Sequence, residues 1–428
     1  MVMNRNIRES QSGWEVILAG LLFCSASHIA WAAETITDHR VEVKIDERVS
    51  IVPPSDEGRA MLGMVRHPDG TIFLNTQRQG LYKSVDEGRT WTPSPVTLTK
   101  HKIDGLGVSS DGKLWLLHQY HTTELYVSNS ADVGLTWTTV PVLFQDMAPG
   151  GSQRPYWTAE QDYNSFVEGP DGSMMTAVEL QYSNEEAADY QAEDQSAPGM
   201  HETMIRTTDG GKTWGDPTSV HQYVAETSLA ADPNDADHIL AFTRIQRGAI
   251  RGENVAMAAE ESGIPKTSLE KGHAATMLYK NGILLESTDG GLSFSEIKGG
   301  MIGFYAMRGT IVWAKNNVIV ATHQDGLDKG ELTGQLFARI SLDGGITWVS
   351  GSKNGSPFFN QSKSFELVPA PPGHSFMAPT VELSPNHFLT AYAHLDPKTR
   401  HLEARLHKLT ISGVFWHLEP ASGNKSAR

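Results

Sequence analysis

The sequence predicts an all-β fold, a six-bladed β-propeller, and three observations support this prediction. One eight-residue turn motif occurs five times, a strand-like segment precedes each copy, and long segments with helical periodicity are absent. The 428 residues, 39% of them hydrophobic, can bury the core of one large repeat domain or of two ordinary domains. We expect a signal peptide over 1–32, the propeller over 41–417 and a C-terminal tail over 418–428.

The turn motif has a hydroxyl residue, an aspartate two positions later, a glycine two positions after that, and a closing aromatic residue. Its copies begin at Ser84, Ser130, Thr207, Ser287 and Ser341. A hydroxyl and a carboxylate at this spacing can bond the backbone N–H groups of a tight hairpin, and the glycine supplies a positive φ. Intervals of roughly 45 to 80 residues between copies fit four-stranded blades separated by variable loops.

Strand-like segments complete the predicted blades. Second strands are expected at 69–74, 111–117, 171–177, 238–242 and 317–321, and a sixth unit over 376–409 has strands without the turn motif. The alternating segment 41–52 is available to complete the last blade, which would close the ring and remove exposed sheet edges. The segment 253–271 is either a short helix or a loop insertion.

The N-terminus has the features of an export signal. Arg5 and Arg8 precede the apolar run 16–23, and Ala30-Trp31-Ala32 has the small-x-small pattern of a cleavage site. We predict a cleaved signal peptide, with an uncleaved N-terminal anchor as the alternative. The single cysteine, Cys24, lies inside this segment, so the mature protein would lack disulfides, which suggests a bacterial periplasm or exterior.

The net charge and the composition of the chain limit the kinds of molecule that it is expected to bind. A net charge of −15 with no basic run argues against nucleic acid, and after signal cleavage no membrane partner is expected. The histidines show no metal-ligand spacing, so neither a metal nor a cofactor is expected. The acidic segment 185–194 is interpreted as a solvated insertion, with calcium binding as the alternative.

The five turns resemble the Asp-boxes of the sialidase (neuraminidase) superfamily, and they span residues 84–348. This resemblance implies a six-bladed propeller in which the motif aspartates are structural. Asp-boxes are also found in propellers that are not sialidases, such as sorting receptors and assembly factors. The resemblance therefore indicates the fold more strongly than the activity.

Topology predicts which residues face a pocket. The turn motif joins the third strand of a blade to the fourth, so the opposite face collects the starts of first strands and the ends of second strands. The predicted starts are Arg59, Asp104, Asp162 or Tyr163, Glu226, Arg308 and Phe376. The predicted ends are Asn75, His118, Glu179, Arg244, His323 and Tyr392.

The family resemblance implies roles for some of these residues. Sialidases bind the substrate carboxylate with three arginines, so Arg59, Arg244 and Arg308 would form a clamp of paired hydrogen bonds. Glu226 is similar to the glutamate that polarises the family's nucleophile. Structural roles are the alternative: Glu226 and Arg244 as a buried ion pair, the other two arginines as exposed or salt-bridged loop residues.

Two positions depart from the family. Phe376 stands where the family has its nucleophilic tyrosine, and the loop 75–80 lacks the family's acid/base aspartate. Substitute acids, bases or nucleophiles on the same face would be Asp104, Asp162, Glu179, His118, His323, Tyr392 and Tyr163. The histidines, including His121, could equally be hydrogen-bonding side chains. With Phe376, His118 and His323 are also predicted to contact the substrate.

Three functions remain open at the level of the sequence. One is an exported glycoside hydrolase of the sialidase type that acts on an acidic sugar. Another is a lyase, or a hydrolase for a different acidic polysaccharide, on the same fold. The last is a non-catalytic propeller that binds glycans or proteins.

Overall fold

A computed structural model gives the fold. It describes residues 35–37, 41–55, 63–76, 80–96, 102–119, 125–142, 164–181, 200–222, 224–245, 254–257, 281–297, 303–304, 307–325, 335–346, 348–349, 365–369, 377–395 and 409–420. No helix among these residues is long and apolar enough to cross a membrane. The acidic segment 185–194 lies outside them, and within 253–271 only 254–257 are described, of which 255–257 are helical.

Antiparallel strands follow one another along the chain. After β1 (Thr35–Thr37) and β2 (Val41–Ser55), a first meander contains β3 (Gly63–Arg66), β4 (Ile72–Thr76), β5 (Gly80–Ser84) and β6 (Thr92–Ser94). The second contains β7 (Lys102–Val108), β8 (Leu114–Gln119), β9 (Leu125–Ser130) and β10 (Thr138–Pro141). The third contains β11 (Asn164–Glu168), β12 (Met174–Gln181), β13 (Met200–Thr207) and β14 (Gly215–Gln222).

The second half of the chain continues this pattern. The fourth meander contains β15 (Val224–Asp232), β16 (Asp235–Ile245), β17 (Asn281–Ser287) and β18 (Ser295–Glu296), and β19 (Gly303–Phe304) also pairs with β17. The fifth contains β20 (Met307–Trp313), β21 (Ile319–Asp325), β22 (Gln335–Ser341) and β23 (Phe365–Val368). The last contains β24 (Thr380–Ser384), β25 (His387–Leu395) and β26 (Leu409–Pro420).

Hydrogen bonding groups the described strands into five sheets. Four of them have four or five strands. The remaining sheet has eight, because the second and third meanders are joined through the parallel pair β7 and β11. The first strands of the meanders touch one another in a closed cycle, β3 to β7, β11, β15, β20, β24 and back to β3. The prediction of an all-β, propeller-like fold is confirmed.

The segment predicted to close the ring does so. β2 pairs antiparallel with β26, from Val41 opposite Pro420 to Ser55 opposite Leu409, and so joins the last sheet. An N-terminal strand thereby covers what would otherwise be the edge of a C-terminal strand. Because β26 ends at Pro420, it includes the first residues of the segment 418–428 that was predicted as a tail.

The turn motif makes the bonds that its spacing predicts. In the first copy, the Ser84 hydroxyl accepts from the Gly88 N–H at 2.8 Å and donates to Asp86 at 2.7 Å. Asp86 in turn accepts from the N–H and the hydroxyl of Thr90, at 2.9 and 2.6 Å. Gly88 has a φ of 90°, and the indole of Trp91 donates to its carbonyl at 2.8 Å.

The apolar core lies between neighbouring sheets. Along β16, Ile239 and Ala241 pack with residues of the third meander, whereas Leu240 and Phe242 pack with the fifth. Successive side chains of a strand point to opposite faces, so each second strand serves two interfaces at once. This alternation decides which polar residues of the second strands can reach the centre of the ring.

Candidate functional site

Three first strands carry the same irregularity near their start. In β7, Asp104 is an extra residue between two ladder pairs. In β15, Glu226 and Thr227 together lie opposite Thr243, and in β20 residues 308 and 309 lie opposite His323. We call this end of the ring, opposite the turn motifs, the bulge end. A β-bulge re-aims a side chain and is frequent beside active sites.

The Glu226 bulge places a carboxylate against an arginine. The Glu226 side chain is fully buried and that of Arg244 is 10% exposed, and Arg244 Nη1 donates to Glu226 Oε1 at 2.7 Å. Glu226 has a φ of 62°, which is the left-handed region that a non-glycine residue enters at a cost. The sequence brought these two residues together as neighbours, and the structure places them in direct contact.

A second cross-strand contact lies beside this ion pair. Thr227 Oγ1 donates to Thr243 Oγ1 at 2.8 Å, and both side chains are buried. Thr227 follows Glu226 and Thr243 precedes Arg244. Two consecutive steps of the ladder therefore carry side-chain bonds across the bulge.

A cavity of about 380 Å³ runs between the first strands. Asp104, which is 3% exposed, is one of its lining residues near the bulge end. Hydroxyl side chains from other first strands also line it, namely those of Ser165, Ser228, Thr310 and Thr380. Several of these hydroxyls bond the neighbouring meander, as Ser228 does by accepting from the Ile311 N–H at 3.1 Å.

Predicted residues on the second strands pack between sheets. His118 is fully buried, bonds the Ser128 hydroxyl at 2.7 Å and stacks on the Tyr126 ring. His323 stacks on Phe337 in the same manner. Burial, reinforced by the positive charge of Arg339, lowers the pKa of His323 to about 3, so this imidazole is neutral near pH 7.

Tyr392 occupies a comparable position in the last sheet. It is 5% exposed and belongs to the core cluster that contains Phe388 and Trp416. Burial raises the pKa of its phenol, while the charge of Arg48 and a bond to Ser412 act in the opposite direction. The roles proposed for His118, His323 and Tyr392 in catalysis or substrate contact stay predictions.

Other predicted site residues are placed only in part. Arg59, Asp162, Tyr163, His121 and Phe376 lie outside the described residues. The backbones of Arg308 and Glu179 lie in β20 and β12, and their side chains are not described. Of the predicted clamp, the structure therefore gives the side-chain geometry of Arg244, and the clamp as a whole stays a prediction.

Three buried polar features escaped the sequence interpretation. They are the Thr227 and Thr243 hydroxyl pair, the Glu202 carboxylate on β13 and the Arg339 guanidinium on β22, which lies 5.1 Å from the Trp348 ring centre. Arg339 could have been noticed as the one charge in the otherwise uncharged strand segment 335–341. Among the described residues, no group of three metal-ligating side chains could hold an ion.

Comparison with known proteins identifies the fold. A Dyadobacter fermentans protein of unknown function is 17% identical, with a TM-score of 0.56 over 88% of this chain and 99% of that one. The Hadza microbial sialidase Hz136 is 12% identical, with a TM-score of 0.55 over 88% and 69%. The α-L-arabinofuranosidase Arb93A from Fusarium graminearum is 13% identical, with a TM-score of 0.52 over 86% and 97%.

No protein-family model matches the chain, and no curated protein is significantly similar to it in sequence. At identities this low, the structural likeness carries the fold and leaves the activity to be argued from the site. The likeness to these solved structures shows an all-β, propeller-like fold.

Proposed function

We propose that the chain is an exported, sialidase-like glycoside hydrolase that acts on an acidic sugar at the bulge end of a six-bladed ring. The observation that carries the proposal is the buried contact of 2.7 Å between Glu226 and Arg244 on a strained bulge. Strained backbone held by its surroundings is a feature of functional sites. Two of the solved structures similar to this chain are glycosidases.

The six-blade count rests on the inner strands. Six first strands contact one another in one cycle. The eight-stranded sheet divides at the parallel pair β7 and β11 into two antiparallel meanders, each of which has a turn motif between its third and fourth strands. Counted in this way, the five turn motifs, which are the Asp-boxes of the resemblance, belong to five successive blades, and the sheet closed by β2 is the sixth.

The proposed clamp consists of Arg59, Arg244 and Arg308. A guanidinium carries five N–H donors, so one bond to Glu226 is compatible with donation to a substrate carboxylate. Arginine stays charged at any working pH, and three of them would hold an acidic sugar in one orientation. The same residues would orient the bond to be cleaved toward Glu226.

In the proposed reaction Glu226 activates the nucleophile as a base. Asp104, a lining residue of the cavity near the same end, is proposed as the proton donor, with Asp162 as the alternative. The nucleophile is water or Tyr392, since Phe376 stands at the position of the family's tyrosine. Export is proposed from the basic, apolar and small-x-small pattern of residues 1–32.

A glycosidase for a neutral sugar is the second candidate. The Glu226 carboxylate already offsets the charge of Arg244 inside the protein. A site with less net positive charge would suit a sugar without a carboxylate. A substrate panel separates the two candidates.

The test is turnover of fluorogenic glycosides of a sialic acid, a uronic acid and arabinofuranose by the purified protein. We expect hydrolysis of an acidic glycoside and a loss of at least about 100-fold in kcat in Glu226→Gln, because proton-transfer groups contribute factors of that order. Glu87→Gln, at an exposed position of the first turn motif, is the matched control and should leave turnover unchanged.

Other outcomes identify the alternatives. Turnover of the arabinofuranoside alone would favour the neutral sugar. A product with a new carbon–carbon double bond, seen by ultraviolet absorbance, would indicate a lyase. Binding of glycans without turnover of any of them, unaffected by Glu226→Gln, would contradict the proposal and indicate a binding propeller.

A further inference from the structure

We propose that Thr227 and Thr243 are positioning residues that hold the Glu226 carboxylate in its reactive geometry. The proposal rests on the proposed function of Glu226. It adds that catalysis requires two neighbouring hydroxyl groups to hold the Glu226 carboxylate in place. Neither hydroxyl is proposed to touch substrate. Both would act through the backbone of the bulge.

The bulge interrupts the regular pairing of β15 with β16 beside Glu226. Two residues, Glu226 and Thr227, lie opposite the single residue Thr243, so the regular ladder bonds are interrupted where the carboxylate must be held. Glu226 also has a φ of 62°, a conformation that persists only when the surroundings hold it. Something other than the ladder must therefore fix this segment.

The hydroxyl pair supplies that restraint. The bond of 2.8 Å from Thr227 to Thr243 ties the second bulge residue to the opposite strand. The side chains are 0% and 1% exposed, so water does not compete for the bond. Because Arg244 follows Thr243, the same strand segment that holds Thr227 also carries the donor to Glu226.

The other two bulges have no threonine within the bulge itself, although the ladder pair next to the β20 bulge is also a threonine pair, Thr310 and Thr322, at 2.7 Å. Asp104 lies between the positions opposite His118 and Leu117, and in β20 the residue opposite the bulge is His323. The second bulge residue of β20 is a glycine, Gly309, which has no side chain to donate. Among the three bulges, only the one that carries the ion pair has a threonine as a bulge residue that bonds the opposite strand.

Valine replaces threonine without its hydroxyl at nearly the same volume, so Thr227→Val and Thr243→Val remove the bond with little change in packing. We expect kcat to fall about tenfold or more, since a displaced catalytic group costs up to about 100-fold, while KM changes less than about twofold. Thr243→Ser, which keeps a hydroxyl, should restore kcat.

The control is Thr390→Val. Thr390 is a buried threonine on β25 that bonds Thr380 at 2.8 Å and accepts from the Trp416 indole at 2.9 Å. Its removal should lower the melting temperature without changing kcat. A fall in kcat that tracks the melting temperature across all these variants would overturn the positioning role.

The two proposals can fail separately. If Glu226→Gln abolishes turnover and both valine variants keep full kcat, the positioning role is wrong and the proposed function stands. If the wild-type protein turns over no glycoside, crystal structures of the valine variants still test whether the hydroxyl pair holds Glu226 in place. A Glu226 that keeps its φ and its bond to Arg244 in Thr243→Val overturns the inference, and a Glu226 that leaves Arg244 supports it.

Discussion

At the scale of single residues, the buried pair of Glu226 and Arg244 has a direct energetic consequence. Taking two charges out of water is costly, and their contact at 2.7 Å compensates for it. Loss of one partner removes the contact that offsets the other buried charge. The pair therefore makes the site sensitive to either single substitution.

We predict that Arg244→Met lowers the free energy of unfolding by roughly 3–5 kcal/mol, the usual cost of breaking a buried ion pair. The double variant Glu226→Gln with Arg244→Met should be destabilised by less than the sum of the two single variants. Urea unfolding of the four proteins measures this coupling. Additive losses would mean that the two side chains are not paired in solution.

Sequence analysis brought this pair together because one residue starts a first strand and the other ends the adjacent second strand. It could not place His118, His323 and Tyr392 equally well. The position of a residue along its strand tells how close it lies to the bulge end. The face of the strand on which it lies decides what surrounds its side chain. His118 and His323 stack on rings of the adjacent strand and Tyr392 lies in a core cluster, and a one-residue difference in register would have turned these side chains to the opposite face.

At the scale of elements, the turn motif joins two strands of one meander and also packs on the meander before it. Gly211 has a φ of 93°, and a Cβ built there would lie 2.6 Å from the Trp115 ring. The glycine is thus required for two reasons, the backbone conformation and the close approach. The sequence predicted the first reason, and only the packing of meanders reveals the second.

Gly211→Ala should destabilise the protein by about 1–3 kcal/mol more than Gly172→Ala, because overpacking adds to the strain of the positive φ. Gly172 has a φ of 77°, and an added Cβ would meet no atom within 4 Å, so it isolates the backbone contribution. Denaturant midpoints of both variants give the difference. Equal losses would show that the turn does not pack against Trp115.

At the scale of the whole molecule, the ring is held shut by β2 and β26, and a charged cluster lies across them. His417 contacts Asp46 at 2.8 Å and Glu419 at 3.0 Å. Lys44 also contacts Glu419, and the His387 ring from β25 stacks on the His417 ring. Burial alone would lower the pKa of His417, but bonds to the two carboxylates raise it above its ordinary value.

Because the pKa of His417 is raised, the stability that its contacts across β2 and β26 contribute should depend on pH. A folded-state pKa above the unfolded value of about 6.5 stabilises the fold below that value, and the contribution is lost as pH rises through the folded pKa. Compared with wild type, His417→Gln should be less stable at acidic pH, and the difference should shrink in alkaline solution. A constant difference in melting temperature across that range would contradict the ion-pair account.

The architecture followed from local signals in the sequence. Five turn motifs, each with the same spacing of residues inside the motif, predicted a propeller-like ring, and one alternating N-terminal segment predicted its closing strand. Each of these signals specifies short-range geometry. The site depends on contacts between blades and on bulges, which depend on pairing register. The sequence reports neither directly, so the pairing of Thr227 with Thr243 became visible only in the folded chain.

The most direct test of the central claim is a crystal structure of Glu226→Gln bound to a glycoside that the wild-type protein hydrolyses. The account predicts a sugar at the bulge end, within hydrogen-bond distance of position 226 and of Arg244, with Asp104 close to the glycosidic oxygen. A sugar bound at the turn-motif end, or anywhere beyond the reach of Arg244, would contradict it.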